Sequence, residues 1–333
     1  MSVAIDPDAI TACPSAWYLV AAAAELRPKQ VLAATVGAHA LVLFRDDTGR
    51  AHALAAHCVH MGCHLKSGTV IGDRLRCPLH FRQFDGAGRC RAIPSGRAAE
   101  SPMQPTYPLI ERFGALFAFV GRGPAHDFPA PHDLPAETFA TLVMPSFPVS
   151  LPWYAPIANG CDLDHLQTVH LRQLKEPPEV GPLPHRRFRI RYRTRVLGKR
   201  LADRLMRRLS GDDIRVTITC FGGSLMLVES IIGQRRSFLL LSMRPGGDGT
   251  SLRGLVGLPR GRSPMLDRIA VRIAAWLFRS FLSRDIGVLE GQHLHRPNPL
   301  VTAGDRYVAQ LFDYFESLDR MPLNLVEPEV VNQ

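Results

Sequence analysis

The first residues able to do chemistry lie in CVHMGCHLKSGTVIGDRLRCPLH, from Cys58 to His80. Cys58 and His60 form a Cys-x-His pair, Cys77 and His80 a Cys-x-x-His pair, and a Gly-punctuated stretch separates them. Thiolates and imidazoles together are soft-to-borderline ligands that suit zinc or an iron–sulfur cluster. The order distinguishes the two. Zinc fingers pair Cys with Cys and then His with His, whereas each loop here carries one of each. A mixed-ligand [2Fe–2S] cluster needs two cysteines on one iron and two histidines on the other, and two such loops clasping it from both sides supply that set. Neutral imidazoles also leave less negative charge than four thiolates, which raises the reduction potential. Zinc, or scattered core thiols and imidazoles, are the alternatives.

A second constellation lies in NGCDLDHLQTVH, Asn159 to His170, which starts with a helix signal and has helical spacing. Asp162 and His165 stand at i and i+3 and so share a helix face. From there a carboxylate can hydrogen-bond the free ring nitrogen of a ligating His165. His170 is five residues beyond His165, about 140° around an ideal helix. The two histidines converge on one ion only if the helix bulges or ends between them. With one carboxylate, His165 and His170 make the facial triad that holds Fe(II) and leaves positions open for dioxygen and substrate. Taken alone, the pattern equally suits a polar helix surface.

These residues need a scaffold. A chain of 333 residues points to two domains or one large one, and 46% hydrophobic residues suffice for a core. A formal net charge of +10 permits acidic proteins, anionic membranes or nucleic acid as partners. No aromatic interleaving or recognised motif supports nucleic acid. The apolar runs are too short or too Arg-interrupted to span a bilayer. The N-terminus is acidic and lacks the basic start of a signal peptide. Seven cysteines, an odd number in a chain this long, fit a reducing cytoplasm with some of them on metal. TVIGDRLRCPLH and QFDGAGRCRAIPSG alternate and break at Gly, as small antiparallel strands do. Residues 126–155 hold too many prolines for a helix and read as a linker and entry to a second domain. RFRIRYRTRV alternates strictly, with Arg187, Arg189, Arg191, Arg193 and Arg195 on one strand face. That face is either solvated and paired with neighbouring carboxylates or a docking surface for an acidic partner or anionic membrane. KRLADRLMRRL and MLDRIAVRIAAWLFRSFL read as basic amphipathic helices, facing the core or lying at a membrane surface. SFLLLSMRP and SLRGLVGLP read as strands. The expectation is α+β: an all-β domain over 1–125, a linker over 126–155, and an antiparallel sheet with helices over 156–333.

Trp17 to Gly121 resembles the Rieske domain of ring-hydroxylating and related non-haem iron oxygenases, through AWYLVA, the two ligand pairs, GAGRCRAIP and YPLIERFGALFAFVG. One departure is His80-Phe81-Arg82, where the family usually reads His-Gly-Trp. Respiratory Rieske proteins carry an extra disulfide between the loops. Cys63 matches its first cysteine but Leu79 stands at the second, which favours the oxygenase branch. Cys63, Cys13, Cys90, Cys161 and Cys220 then read as ordinary thiols, and His64 as a loop residue. Asn159, Asp162, His165 and His170 resemble the catalytic helix of the homotrimeric Rieske monooxygenases, a group with dicamba and vanillate O-demethylases, ketosteroid hydroxylases and sterol-oxidising relatives.

The resemblance implies a helix-grip catalytic domain and a third iron ligand, Asp285, which precedes Glu290 and Gln292 in the family's order. Glu290 is the rival ligand and Asp164 a weaker one. It implies a [2Fe–2S] cluster on Cys58, His60, Cys77 and His80, and a mononuclear Fe(II) on His165, His170 and Asp285. It implies a head-to-tail trimer in which Asp162 bridges to His60 or His80 of a neighbouring subunit. No G-x-G-x-x-G opens a helix, so NAD(P)H electrons must arrive through a separate reductase, with or without a ferredoxin. The reaction implied is hydroxylation, demethylation or desaturation with O2. High hydrophobicity and basic amphipathic helices favour a bulky apolar substrate such as a sterol or terpenoid lipid. The alternatives are a small aromatic or natural-product substrate, a Rieske electron carrier without oxygen chemistry, and a zinc-stabilised binding module.

Overall fold

The computed structural model describes residues 12–94, 96, 102–123, 125–246, 249–289, 292 and 294–321. The chain forms two compact units: Trp17–Ala125, and His126–Met321 together with the segment ending at Ala16.

The first unit is all β. Strands β2 (Ala16–Ala22), β3 (Val31–Val36), β4 (His39–Arg45) and β5 (Ala51–Ala55) open it. They are followed by β6 (Thr69–Ile71), β7 (Arg74–Arg76), β8 (Gln83–Asp85), β9 (Cys90–Ala92), β10 (Leu109–Arg112) and β11 (Ala115–Val120). They make sheets in the orders β10-β11-β2, β3-β4-β5 and β6-β7-β8-β9. Phe44, Leu54, Leu65, Leu75 and Phe84 pack in its core with Cys58 and Cys77. The two Cys/His loops leave this core at its β5–β6 and β7–β8 connections.

The second unit is built on a nine-stranded antiparallel sheet. Its strands are β12 (Phe139–Val143), β13 (Phe147–Val149), β14 (Arg172–Leu174), β15 (Glu179–Leu183) and β16 (Arg187–Val196), then β17 (Ile214–Phe221), β18 (Leu225–Ile232), β19 (Arg235–Gly246) and β20 (Gly249–Pro259). The order is β12-β20-β19-β18-β17-β16-β14, with β13 also on β20 and β15 also on β16. A short pair, β1 (Cys13–Pro14) with β21 (Arg320–Met321), ties the start of the chain to this unit. Among the described residues, five helices accompany the sheet: α1 (Ala155–Cys161), α2 (Leu163–Thr168), α3 (Leu201–Ser210), α4 (Pro264–Leu289) and α5 (Ala303–Glu316). Val271 and Ala275 of α4 pack on Leu239 and Val256 of the sheet, while Phe312 and Phe315 of α5 pack with Trp153 and Phe188.

The Pro-rich stretch is more than a linker. Its strands β12 and β13 pair with β20, and Pro148 sits in an edge strand, where its missing N–H costs no ladder bond. The Arg-faced strand is β16. Phe188, Ile190, Tyr192, Thr194 and Val196 are buried. On the other face Arg191 pairs with Glu179 at 3.1 Å and Arg193 with Asp213 at 3.0 Å, while Arg195 donates to Gln173 at 2.7 Å. These partners favour the solvated-face reading over docking.

The two faces of β16 should therefore differ sharply under mutation. Ile190→Ala, at a fully buried position, is expected to cost about 2–5 kcal/mol in denaturant unfolding. Arg191→Gln, at an exposed pair, should change stability by less than about 1 kcal/mol. Equal losses would contradict this orientation of the strand.

Candidate metal centres

The two Cys/His loops have the same backbone. Cys58 N–H donates to Cys63 O at 2.9 Å, and Cys77 N–H donates to Arg82 O at 2.8 Å. Cys58 O accepts from Gly62 N–H at 2.8 Å, and Cys77 O from Phe81 N–H at 3.1 Å. The residue four beyond each cysteine has a left-handed backbone, with φ +70° at Gly62 and +56° at Phe81. This explains the glycine of the family pattern: it serves a positive φ, which a side chain tolerates only at a cost. Phe81 is half exposed, and the Arg76 guanidinium lies 5.0 Å from its ring centroid.

Cys58 and Cys77 are buried, whereas His60 and His80 are exposed with ring centroids 4.8 Å apart. The cysteine sulfurs lie within hydrogen-bonding reach of each other, and the His60 amide donates to Cys58 Sγ. Burial pushes the Cys58 thiol up to about 11, opposed by that amide. A buried thiol so disposed becomes a thiolate when a cation binds it. Two inward sulfurs and two outward imidazoles are a donor set that could hold a [2Fe–2S] cluster at the loop tips. His64 is used otherwise: its Nδ1 accepts from Lys66 N–H at 3.1 Å. Cys63 turns its sulfur to Cys77 and the Leu79 amide. Buried Gln104 had no sequence signal. It clamps the first loop by donating to Ala55 O and His57 O at 2.9 and 2.7 Å and accepting from Val59 N–H at 2.8 Å.

In the second unit the chain breaks at Asp162, whose extended backbone (φ −79°, ψ 109°) ends α1 and starts α2. Its Oδ1 accepts from the Asp164 and His165 amides at 2.9 and 3.0 Å, an N-cap. Asp162 and His165 therefore do not lie on one continuous helix, as the spacing suggested. The short helix α2 carries His165 and ends at Thr168, and the positive φ of Leu171 (+52°) follows His170. The helix thus ends between the two histidines rather than bulging. Asp285 reaches them from α4. Its Oδ1 lies 2.9 Å from His165 Nε2 and 2.7 Å from His170 Nε2, and the two nitrogens are 3.1 Å apart. Asp164 points elsewhere, accepting from Thr302 Oγ1 at 2.9 Å. Glu290 lies outside the described residues.

Two imidazole nitrogens and one carboxylate oxygen converging on one point are a donor set that could hold an Fe(II) ion. Burial lowers the basicity of His170 against the pull of Asp285. Burial alone would raise Asp285, yet hydrogen bonds from His165 and His170 hold its carboxyl below the usual carboxylate range. Both directions favour the neutral imidazole and ionised carboxylate that metal ligation requires. The His170 ring stacks on Phe281 at 3.7 Å. Arg284 donates to His170 O at 3.3 Å and pairs with buried Asp203 of α3 at 2.7 Å. This pair fixes the ligand loop to two helices, and no sequence pattern marked it.

The triad forms part of the wall of a cavity of about 760 Å³ between the sheet and helices α3 and α4. Its lining is mostly apolar, with Ile218, Met226, Leu241, Leu252 and Phe278, and with Asn159 and Asp162 among its polar residues. This size and character suit a small organic molecule.

Residues 16–108 match the Rieske [2Fe-2S] domain. Cholesterol 7-desaturase of Bombyx mori is 31% identical over 166 residues, 48% of this chain and 36% of that protein. The oxygenase component of 3-ketosteroid-9-alpha-monooxygenase of Rhodococcus rhodochrous is 34% identical over 104 residues, 31% of this chain and 28% of that protein. Residues 16–108 are a Rieske domain, and the chain is similar to Rieske oxygenases. It spans about a third of the length of these relatives. Solved Rieske oxygenases share its fold across both units. NdmA of Pseudomonas putida CBB5, solved with caffeine, aligns with TM-score 0.67 and 19% identity over 90% of this chain and 89% of that one. Dicamba monooxygenase aligns with TM-score 0.66 and 19% identity over 92% and 97%. The matched domain is one that carries a [2Fe–2S] cluster, and the donor set of the two loops fits it.

The positive-φ positions of the two Rieske loops give a direct test. Gly62→Ala meets no atom within 4 Å, so its expected loss of about 1–2 kcal/mol is all backbone. Phe81→Gly should cause no loss, because it relieves the same strain. Thermal unfolding of both variants checks this, and a destabilising Phe81→Gly would refute it.

Proposed function

We propose that the protein is a Rieske non-haem iron monooxygenase that uses O2 and external electrons to oxidise a bulky apolar molecule. The observation that carries this reading is the meeting of His165, His170 and Asp285 in the wall of a large apolar cavity. An electron carrier has no use for either feature. Cys58, His60, Cys77 and His80 would hold the [2Fe–2S] cluster, which would supply electrons, and His165, His170 and Asp285 would hold iron, which would supply dioxygen activation. The rest falls to the chain. Burial keeps His170 neutral, Phe281 fixes its ring plane, and the apolar walls exclude water and orient the substrate. Sterols and steroids fit the cavity's size and lining, and the names of the Bombyx mori and Rhodococcus rhodochrous relatives point the same way. Small aromatics are the second reading, favoured by the fold shared with dicamba monooxygenase. Electrons come from NAD(P)H through a separate reductase, directly or by a ferredoxin, and the working unit is a homotrimer.

Asp162 has a specific place in this reading. One of its oxygens caps α2. The other has no hydrogen-bond partner among the described residues and is free to meet His60 or His80 of a neighbouring subunit.

Iron analysis tests the reading. Three irons per chain are expected, with the low-average-g EPR signal of a His/Cys-ligated cluster. Two irons would indicate a carrier. Asp285→Ala should lose the third iron and keep the cluster signal, and loss through Glu290→Ala instead would reassign the ligand. Asp162→Asn keeps a capping side chain, so it should retain both metal sites and normal stability yet lose turnover. Asp162→Ala should in addition lose about 1 kcal/mol of stability. Full turnover in Asp162→Asn would remove the residue from the electron path.

A further inference from the structure

Helix α4 shows an apolar face that nothing in the described structure covers. Met265, Leu266, Ile269, Ile273 and Trp276 are exposed, Met265 by 71% and Leu266 by 65%. From Leu266 the spacing is three, four, three, so they form one stripe. The face toward the sheet is a separate one, through Val271 and Ala275. The helix therefore has two apolar sides and needs two partners.

The stripe borders the cavity. Ala270 and Ile273 of α4, with Arg235 and Arg236 that open β19 at its turn from β18, line the cavity and stand exposed. The cavity opens along that turn and that helix. Leu205 and Leu209 of α3 line it as well. Around this opening the charge has one sign. Arg204 and Arg208 of α3, Arg235 and Arg236 at the start of β19, and Arg268 and Arg272 of α4 are exposed. None of the six has an ion-pair partner among the described residues. The same segments carry three carboxylates: Asp203 is buried on Arg284, Asp285 lies buried against His165 and His170, and Asp267 accepts from Gly261 N–H at 2.9 Å.

We infer that this face docks on an anionic lipid bilayer, with the α4 stripe in the acyl boundary, the arginines at the headgroups, and the cavity opening toward the lipid. A helix with an apolar stripe, a Trp and flanking arginines suits the plane of a membrane interface. Charge complementarity selects the occupant. A two-fold contact would set the same arginines against one another, and a head-to-tail contact would set them against a chain of formal net charge +10, whereas an anionic headgroup layer neutralises them. No described helix is long and apolar enough to cross a bilayer, so the contact is peripheral. An apolar substrate dissolved in the bilayer then enters without passing through water. That last step rests on the oxygenase reading. The docking does not.

Vesicle binding tests it without turnover. The full-length protein should sediment with vesicles of equimolar phosphatidylcholine and phosphatidylserine, release at high salt, and ignore phosphatidylcholine alone. Trp17 and Trp153 are buried and Trp276 is 44% exposed, so lipids brominated on the acyl chain should quench Trp276 emission in the unmodified protein. Trp276→Phe should abolish that quenching. Arg268→Gln with Arg272→Gln should weaken partitioning about 25-fold, about fivefold per charge. Three results would overturn the proposal: no binding to anionic vesicles, binding without Trp276 quenching, or a smaller assembly on light scattering for Met265→Asp with Ile269→Asp, which would assign the stripe to a second copy.

Discussion

Everything in the second unit is arranged around one carboxylate oxygen. Asp285 Oδ1 lies within 3 Å of two imidazole nitrogens that themselves lie 3.1 Å apart, all in a largely buried site. Lone pairs that close repel unless a proton or a cation sits among them. Burial disfavours charge on His170 and the two imidazoles favour charge on Asp285, which leaves the point of convergence suited to a cation. The scaffold must then bring together residues far apart in sequence and hold them against solvation. It does so with few devices. A helix break at Asp162 aims α2, a positive φ at Leu171 turns the chain after His170, and Arg284 ties the His170 carbonyl to Asp203 of α3. Arg284 and Phe281 lie on the same helix as Asp285, so one rigid element fixes both that carboxylate and the ring plane of His170.

The first unit meets its demand by repetition. Two loops with the same hydrogen bonds present one thiol inward and one imidazole outward each. The repeat extends to backbone sign, since Gly62 and Phe81 occupy equivalent left-handed positions. An unbranched left-handed residue costs little when it is Gly and more when it carries a ring. The Arg76 contact over Phe81 offsets part of that cost.

The parts of this architecture that were legible in the sequence are those written in local spacing. The Cys/His pairs, the alternation of β16 and the amphipathic runs of α3 and α4 each depend on residues within one element, where period and ligand type speak directly. Asp285 could be named only through the family resemblance, because nothing local distinguishes it from the other carboxylates of the chain. Asp162 was placed on the wrong kind of backbone. Its spacing to His165 is helical, but an Asp can equally end one helix and cap the next, and the cap is stabilised by amides the spacing does not reveal. The Pro-rich stretch hid β12 and β13 because edge strands tolerate proline. Gln104, Arg284 and Asp203 were invisible for a common reason: each acts through partners distant in sequence, and a lone Gln or Arg–Asp pair has no pattern.

Helix α4 shows how one amphipathic pattern can serve more than two surfaces. At 3.6 residues per turn, a single helix can give one side to a sheet and another to solvent. Here Val271 and Ala275 take the sheet, Phe281 and Asp285 the two histidines, and Leu266, Ile269 and Trp276 the outside. The outside stripe lies in the N-terminal half and the ligand near the C-terminal end. From Ile269 to Asp285 is a rise of about 24 Å along a straight helix. An averaged amphipathicity blurs these faces, because the apolar side shifts along the helix. The same separation keeps the functions independent. A charge placed on the outer stripe is too far from Asp285 to perturb it through a screened surface, so the stripe at one end and the His/Asp cluster at the other can be altered one at a time.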